Sequence, residues 1–244
     1  MPYTNCGAPT SVSASGIITP NGTFTVSWSG ASAGVSNSIK EYDVYYYITS
    51  NGIAPTTSSY TGKKTVASNS TSESTTFTIT ASNAYRGYKI TCGVITKGAN
   101  YNSNPSMKTG GSITINSLPS APAVSVDKTI VPSTNGVVTF TISAGSDKDG
   151  SQTKTLYYST SVSGSKAKIT SPWSPTVSAT TTYYFWTYDG LEYSSSSTSK
   201  TITKNTKPQI TKVDISGPVL ASINADASYE YRIAPNIAVD SENG

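Results

Sequence analysis

A segment that recurs with the same internal design limits the fold of this chain more than any other feature. Val137 to Gly150 reads VVTFTISAGSDKDG, Thr23 to Gly30 reads TFTVSWSG, and Tyr229 to Gly244 reads YEYRIAPNIAVDSENG. In each copy, strand-forming residues alternate in twos (Phe24, Val26, Trp28; Val138, Phe140, Ile142; Tyr229, Tyr231, Ile233). That is the period of a strand with one buried face. A polar loop follows every time, and in the second and third copies it carries acids and a closing Gly, at Asp147 to Gly150 and Asp240 to Gly244. Such a strand cannot bury its apolar face alone, so each copy marks a module. The third copy supplies little beyond its opening strand, which implies a longer protein.

Composition narrows the class. Only 12% of residues are charged and 35% are hydrophobic. Ser, Thr, Gly, Tyr, Asn and Val dominate, a mixture poor in helix formers and rich in strand and turn formers. The 17 Tyr, 4 Phe and 3 Trp supply the buriable area that a disordered tract lacks. The expectation is an all-β chain of tandem antiparallel β-sandwiches: a module over 1–118, a second over 119–206, and the start of a third over 207–244.

Turn chemistry places the strands. In the first module they are Thr23 to Gly30, Glu41 to Ile48 with Tyr42, Val44 and Tyr46 on one face, Tyr60 to Ala67 at an edge guarded by Lys63 and Lys64, Thr75 to Thr80, Tyr88 to Lys97, and Ser112 to Asn116. A stiff linker, Leu118-Pro119-Ser120-Ala121-Pro122, leads to Ala123 to Val126, Val137 to Ser143, Lys154 to Ser159, a poorly patterned middle around Pro172-Trp173-Ser174-Pro175, Thr181 to Tyr188, and Ser199 to Thr203.

Trp28 on the second strand, the Tyr-bearing third strand and the run YRGYKITCGVITKGANYNSNPS together resemble the fibronectin type III pattern. Tyr88 matches the Tyr that opens the sixth strand, and Tyr101 to Ser106 match the tail leading to the seventh. The lead-in CGAPTSVSAS is similar to the starts of such modules in structural proteins of tailed bacteriophages. The second module, ending YYFWTYDGLEYSSSSTSKTITKNTKPQI, is similar to Ig-like and cadherin-like surface modules, where Asp-Gly turns the chain and an Asn near a Pro opens the next module. It carries Ala144 where the first module has its Trp, so its label is Ig-like. These resemblances imply fold more strongly than function.

Catalytic chemistry finds little support. The chain has no His, the usual general base near neutral pH. No Ser or Cys stands in a nucleophile-elbow context, and no phosphate-cradling Gly loop or zinc-spaced Cys set occurs. The 13 carboxylates are scattered. Arg86 and Arg232 are the only arginines, which argues against nucleic acid as a partner. No apolar run approaches a membrane span, and Met1 to Asn5 lacks the features of a secretory signal.

Three features remain open. Asp147 and Asp149 with Gly150 begin as a Ca²⁺ loop begins, yet a third acid and a distant bidentate Glu are missing. The competing reading is a polar loop held by Asx turns. On Thr181 to Tyr188, Tyr183 and Phe185 face one way and Tyr184, Trp186 and Tyr188 the other. If the first pair is core, the other three form an exposed stripe that, with Trp173, would contact a sugar or a protein partner. A Lys128–Asn205 isopeptide bond lacks an evident acid. Cys92 reads as a buried thiol in phase with Ile90 and Val94, with a Cys6–Cys92 bridge as the alternative.

Together these readings point to a non-enzymatic virion protein of a tailed phage, in the tail, neck or a capsid appendage. It would assemble in the host cytoplasm in many copies and contact other virion proteins or a host-surface glycan. The rival is a bacterial surface adhesin, or an accessory module of a secreted carbohydrate-active enzyme.

Overall fold

A computed structural model describes residues 2–103, 105–149, 152–207, 210–220 and 229–237, the last two stretches as backbone only. The chain divides into two compact units. Unit 1 holds Met1–Ala121, Ala144–Thr155 and Thr187–Ser196; unit 2 holds Pro122–Ser143, Leu156–Trp186 and Ser197–Gly244.

The first sandwich is built from β1 (Ser11–Ser13), β2 (Ser15–Ile18), β3 (Thr23–Ser29), β4 (Ile39–Thr49), β5 (Gly62–Ala67), β6 (Glu73–Thr78), β7 (Lys89–Gly98) and β8 (Met107–Ile115). One sheet runs β1-β3-β6 and the other β2-β8-β7-β4-β5. The opening segment changes sheets at Ala14: β1 pairs antiparallel with β3, and β2 pairs parallel with β8. Period-two alternation does the rest. Phe24, Val26 and Trp28 turn inward from β3 to meet Tyr42, Val44, Ile90, Cys92 and Val94 from β4 and β7. The T-shaped and stacked rings of Phe24, Tyr46 and Phe77 close one end of this core. A bulge between Thr91 and Cys92 displaces β8 at Gly111. Gly111 takes a φ of +74°, and a Cβ there would lie 2.6 Å from the Ala14 nitrogen, so the residue must be glycine.

The second sandwich repeats this plan with β9 (Ala123–Val126), β10 (Ile130–Val131), β11 (Gly136–Val137), β12 (Phe140–Ser143), β13 (Thr155–Ser159), β14 (Ala167–Ile169), β15 (Thr176–Val177), β16 (Thr181–Tyr188) and β17 (Thr198–Lys204). Its larger sheet runs β10-β17-β16-β13-β14, and β9 pairs with β12. As in the first sandwich, the opening segment pairs antiparallel on one side (β9 with β12) and parallel on the other (β10 with β17). The strand expected over Val137 to Ser143 is broken in two. Val137 pairs with β15 and Phe140 to Ser143 with β9, while Val138 lies buried between them.

Trp173, in the middle that sequence patterning leaves undefined, forms a bridge with Phe140 and packs against the core cluster of Phe140, Tyr183 and Phe185. The module without a Trp on its second strand thus draws an indole from a loop. Beyond these, β18 (Ile210–Leu220) and β19 (Tyr229–Ile237) form an antiparallel ribbon. The side chains of the third copy and the acidic stretch Asp240 to Gly244 lie outside the described residues.

Cys6 and Cys92 are both buried and both unbridged. Burial pushes the Cys92 thiol up to about 12. Among the described residues, no helix is long and apolar enough to cross a membrane.

Candidate functional site

The densest polar constellation lies in unit 1, around a short 3₁₀ turn, Asn83–Tyr85, which the Ser82 hydroxyl caps by accepting from the Ala84 N–H. The turn is followed by Gly87 at a φ of +82°, whose N–H donates to the Ile115 carbonyl at 2.7 Å. Arg86 is therefore held beside the end of β8. Its guanidinium donates to both oxygens of Glu192, from Nη1 at 2.6 Å and Nη2 at 2.8 Å, and Nη1 also donates to the Asn116 carbonyl at 2.9 Å. Nε donates to Asn83 Oδ1 at 3.2 Å. The paired, bidentate geometry is available to a guanidinium and not to an ammonium.

Asn116 stands at the centre and is 0% exposed. Its Nδ2 donates to Asp189 Oδ2 at 3.0 Å and to Glu192 Oε2 at 2.9 Å. Asp189, also fully buried, accepts at Oδ1 from the N–H groups of Leu191 and Glu192, both at 2.7 Å. This Asp-Gly turn shapes the loop so that the Glu192 carboxylate meets Arg86. The hydrogen bond from Arg86 holds the Glu192 carboxyl below its ordinary range, against the opposing effect of burial, and Asn116 adds to the lowering. Reciprocally, Glu192 raises the Arg86 guanidinium.

Of the two acids singled out as possible metal ligands, Asp147 accepts at Oδ1 from the Asp149 N–H at 3.0 Å, an Asx turn. Asp149 directs Oδ2 to the Ser117 N–H. Among the described residues, no group of three or more His, Cys, Asp or Glu is placed to hold a metal ion; Gly150 lies outside them. This constellation, which we call the clasp, ties the segments 144–155 and 187–196 to the end of β8. Sequence reasoning missed Arg86, Asn116 and Glu192 in these roles. The usable signal was the Asn-x-x-Pro at Asn116, which recurs at Asn205.

The aromatic stripe differs from expectation. Tyr183 and Phe185 do point into the core. On the opposite face, however, Trp186 is only 5% exposed, so the stripe is not an open platform. Its indole carries the Lys166 ammonium 4.6 Å above the ring, and Tyr184 lies 6.3 Å away, centroid to centroid. A lysine ammonium over the face of an indole is a favourable cation–π contact. Tyr188 is half-buried against Tyr193. Trp173 is the core anchor described above. The edge residue Lys63 guards its strand and also binds a carboxylate, since it and Lys97 each reach Asp43 Oδ2 at 2.8 Å on the outer face of β4. Burial pushes Asp43 up, but hydrogen bonds from Lys63, Lys97 and Thr65 together leave it below its ordinary value.

The strand pairing defines a chain of tandem Ig-like β-sandwiches with fibronectin type III character. No protein-family model matches the chain, and no curated protein matches it. Solved structures do. The crystal structure of the chicken CNTN1 FN1–FN3 domains aligns at 11% identity over 82% of this chain and 66% of that one, just under two thirds of its length, with a TM-score of 0.33. The ICAM-5 D1–D4 ectodomain fragment aligns at 11% identity over 93% and 75%, with a TM-score of 0.36. The fibronectin(III)-like modules of Clostridium thermocellum CbhA align at 11% identity over 83% and 95%, with a TM-score of 0.30.

Proposed function

We propose that the chain is a non-catalytic structural and attachment protein of a tailed-phage virion, whose sandwiches present strand faces and loops to other virion proteins or to the host surface. The observation that carries a structural role is the clasp. Arg86, Asn116, Asp189 and Glu192 direct their hydrogen-bonding groups at one another, an arrangement suited to fixing loops and not to receiving a substrate. The phage assignment draws its support from the resemblance of the lead-in and first module described above.

Mass spectrometry of density-purified particles tests it. Peptides from both sandwiches at many copies per particle are the expected result. Recovery of the protein only in the cell-wall or secreted fraction, without particles, would overturn the virion reading in favour of an adhesin or an enzyme's accessory module. A glycan array with the native chain and Tyr184→Ala then separates a sugar-reading face from a purely structural one.

A further inference from the structure

Beside the clasp, within unit 1, opens a cleft of about 430 Å³, a volume in the range of small-molecule sites. Its first wall is Lys89 of β7 with Thr114, its cross-strand neighbour on β8, and Ser50 just beyond β4. Lys89 Nζ donates to Thr114 Oγ1 at 2.7 Å, which occupies one of the three donors of an ammonium. On its other side the Lys89 stem lies against Gly52, where a Cβ would be 3.6 Å from that of Lys89. The Gly52 carbonyl is itself fixed, accepting from Thr91 Oγ1 at 3.1 Å. The long side chain is braced from both sides, so less entropy is lost when its ammonium engages a ligand.

The floor is Ser117, only 8% exposed, beside Gly87. Gly87 has a φ of +82°, and a Cβ there would crowd the Ser117 Oγ at 3.1 Å, so a side chain at this position would close the floor. The second wall is Lys148 and Asp149. The Asx turn at Asp147 and the bond from the Ser117 N–H to Asp149 Oδ2 set the path of that loop.

The charges do not cancel. Arg86 also borders the cleft, but Glu192 matches it. Among the described residues neither Lys89 nor Lys148 is in an ion pair. They face Asp149 alone, whose Oδ2 is already engaged. Two ammoniums across a cleft suit an oxyanion. The Ser50 and Ser117 hydroxyls, with the remaining acceptor capacity of the Asp149 carboxylate, suit hydroxyl groups, which a bare anion lacks.

We propose that this cleft binds a sugar bearing an acidic group. Lys89 and Lys148 meet its carboxylate or phosphate, while Asp149 and the two serines meet the neighbouring sugar hydroxyls. This deepens the attachment reading by giving it a ligand and a site away from the aromatic strand β16. It rests on attachment and not on the virion assignment, which particle mass spectrometry tests separately.

Amide-shift titration of the native full chain tests the site, with glucuronate and glucose 6-phosphate as probes and glucose and inorganic phosphate for comparison. A saturable shift centred on Lys89, Ser117 and Lys148 is expected with at least one acidic sugar, and the sugar that gives it names the acid. Glucose and inorganic phosphate should each bind about tenfold more weakly, since each lacks half of the contact. Lys148→Ala, at an exposed position outside the hydrogen bonds of the clasp, should weaken the acidic sugar about tenfold, the equivalent of one charge-assisted hydrogen bond. Exchange of the slowest amides in β7 and β8 should stay unchanged in that variant. Lys89→Gln, which removes the charge and keeps a donor for Thr114, should weaken the sugar similarly, and added salt should weaken it in the native chain. No saturable shift with either acidic sugar would overturn the proposal. So would inorganic phosphate that binds as tightly as they do, which marks a bare anion site, or a Lys148→Ala chain that binds as the native one does.

Discussion

Replacing Arg86 with alanine tests the clasp most directly. The side chain donates three hydrogen bonds of 2.6, 2.8 and 2.9 Å to Glu192 and to the Asn116 carbonyl. The two charged side chains are 19% and 24% exposed. The pair is thus drier than a surface ion pair, worth about 0–1 kcal/mol, and wetter than a fully buried one, whose rupture costs about 3–5 kcal/mol. Arg86→Ala should destabilise unit 1 by about 2–3 kcal/mol, because it leaves Glu192 half-desolvated with only Asn116 as a donor. Glu192→Ala should cost about 1–2 kcal/mol, since Asn116 keeps its bond to Asp189.

The double variant should show a coupling of about 1.5 kcal/mol. Native-state exchange of the slowest amides in β7 and β8 reads these values for unit 1 alone. Arg86→Lys should recover no more than half the loss, since an ammonium cannot form the fork. The sign with pH also follows. Glu192 is held below its unfolded value, so its contribution is fully present above that value and is lost as pH falls through the lower folded one. In Arg86→Ala, which removes the chief cause of that lowering, the part of the acid loss due to Glu192 should shrink. A coupling below about 0.5 kcal/mol, or a lysine variant as stable as the native chain, would refute the clasp as a paired-charge device.

Two further outcomes are expected. Phe140→Ala should cost unit 2 about 3–5 kcal/mol in denaturant unfolding, because the ring is 0% exposed and meets Trp173, Tyr183 and Phe185; a loss under about 1 kcal/mol would contradict its central place. Cys92 should resist a thiol reagent at mildly alkaline pH in the native state and react in urea. With its folded value at about 12 against an ordinary 9.0, its contribution to stability should fall as pH rises between them, a slope that Cys92→Ala removes.

Fold class was legible in the chain because period-two alternation is a local property. The inward sets Phe24, Val26, Trp28 and Phe140, Ile142 follow from side chains alternating across a strand, whatever the strand's partners. The lysine pair marked the edge strand β5, whereas the free state of the thiols needed a core. Likewise, the alternation of Thr181 to Tyr188 told which residues share a face, but not that Trp186 is buried or that Lys166, twenty residues away, lies over its ring.

The acidic loop shows the same division. Sequence alone identified Asp147 to Gly150 as a repeated loop with carboxylates in it, and left the choice between an ion and a turn. Only the tertiary structure brings Asp149 to the Ser117 N–H, and Arg86 to a glutamate 106 positions away. Alternation and turn propensity are set by neighbours along the chain, so they determined most strands of the first sandwich and which of their residues face inward. Hydrogen-bond partners are set by distances in space, so the clasp, the borrowed indole of Trp173 and the covered face of Trp186 were decided by the fold.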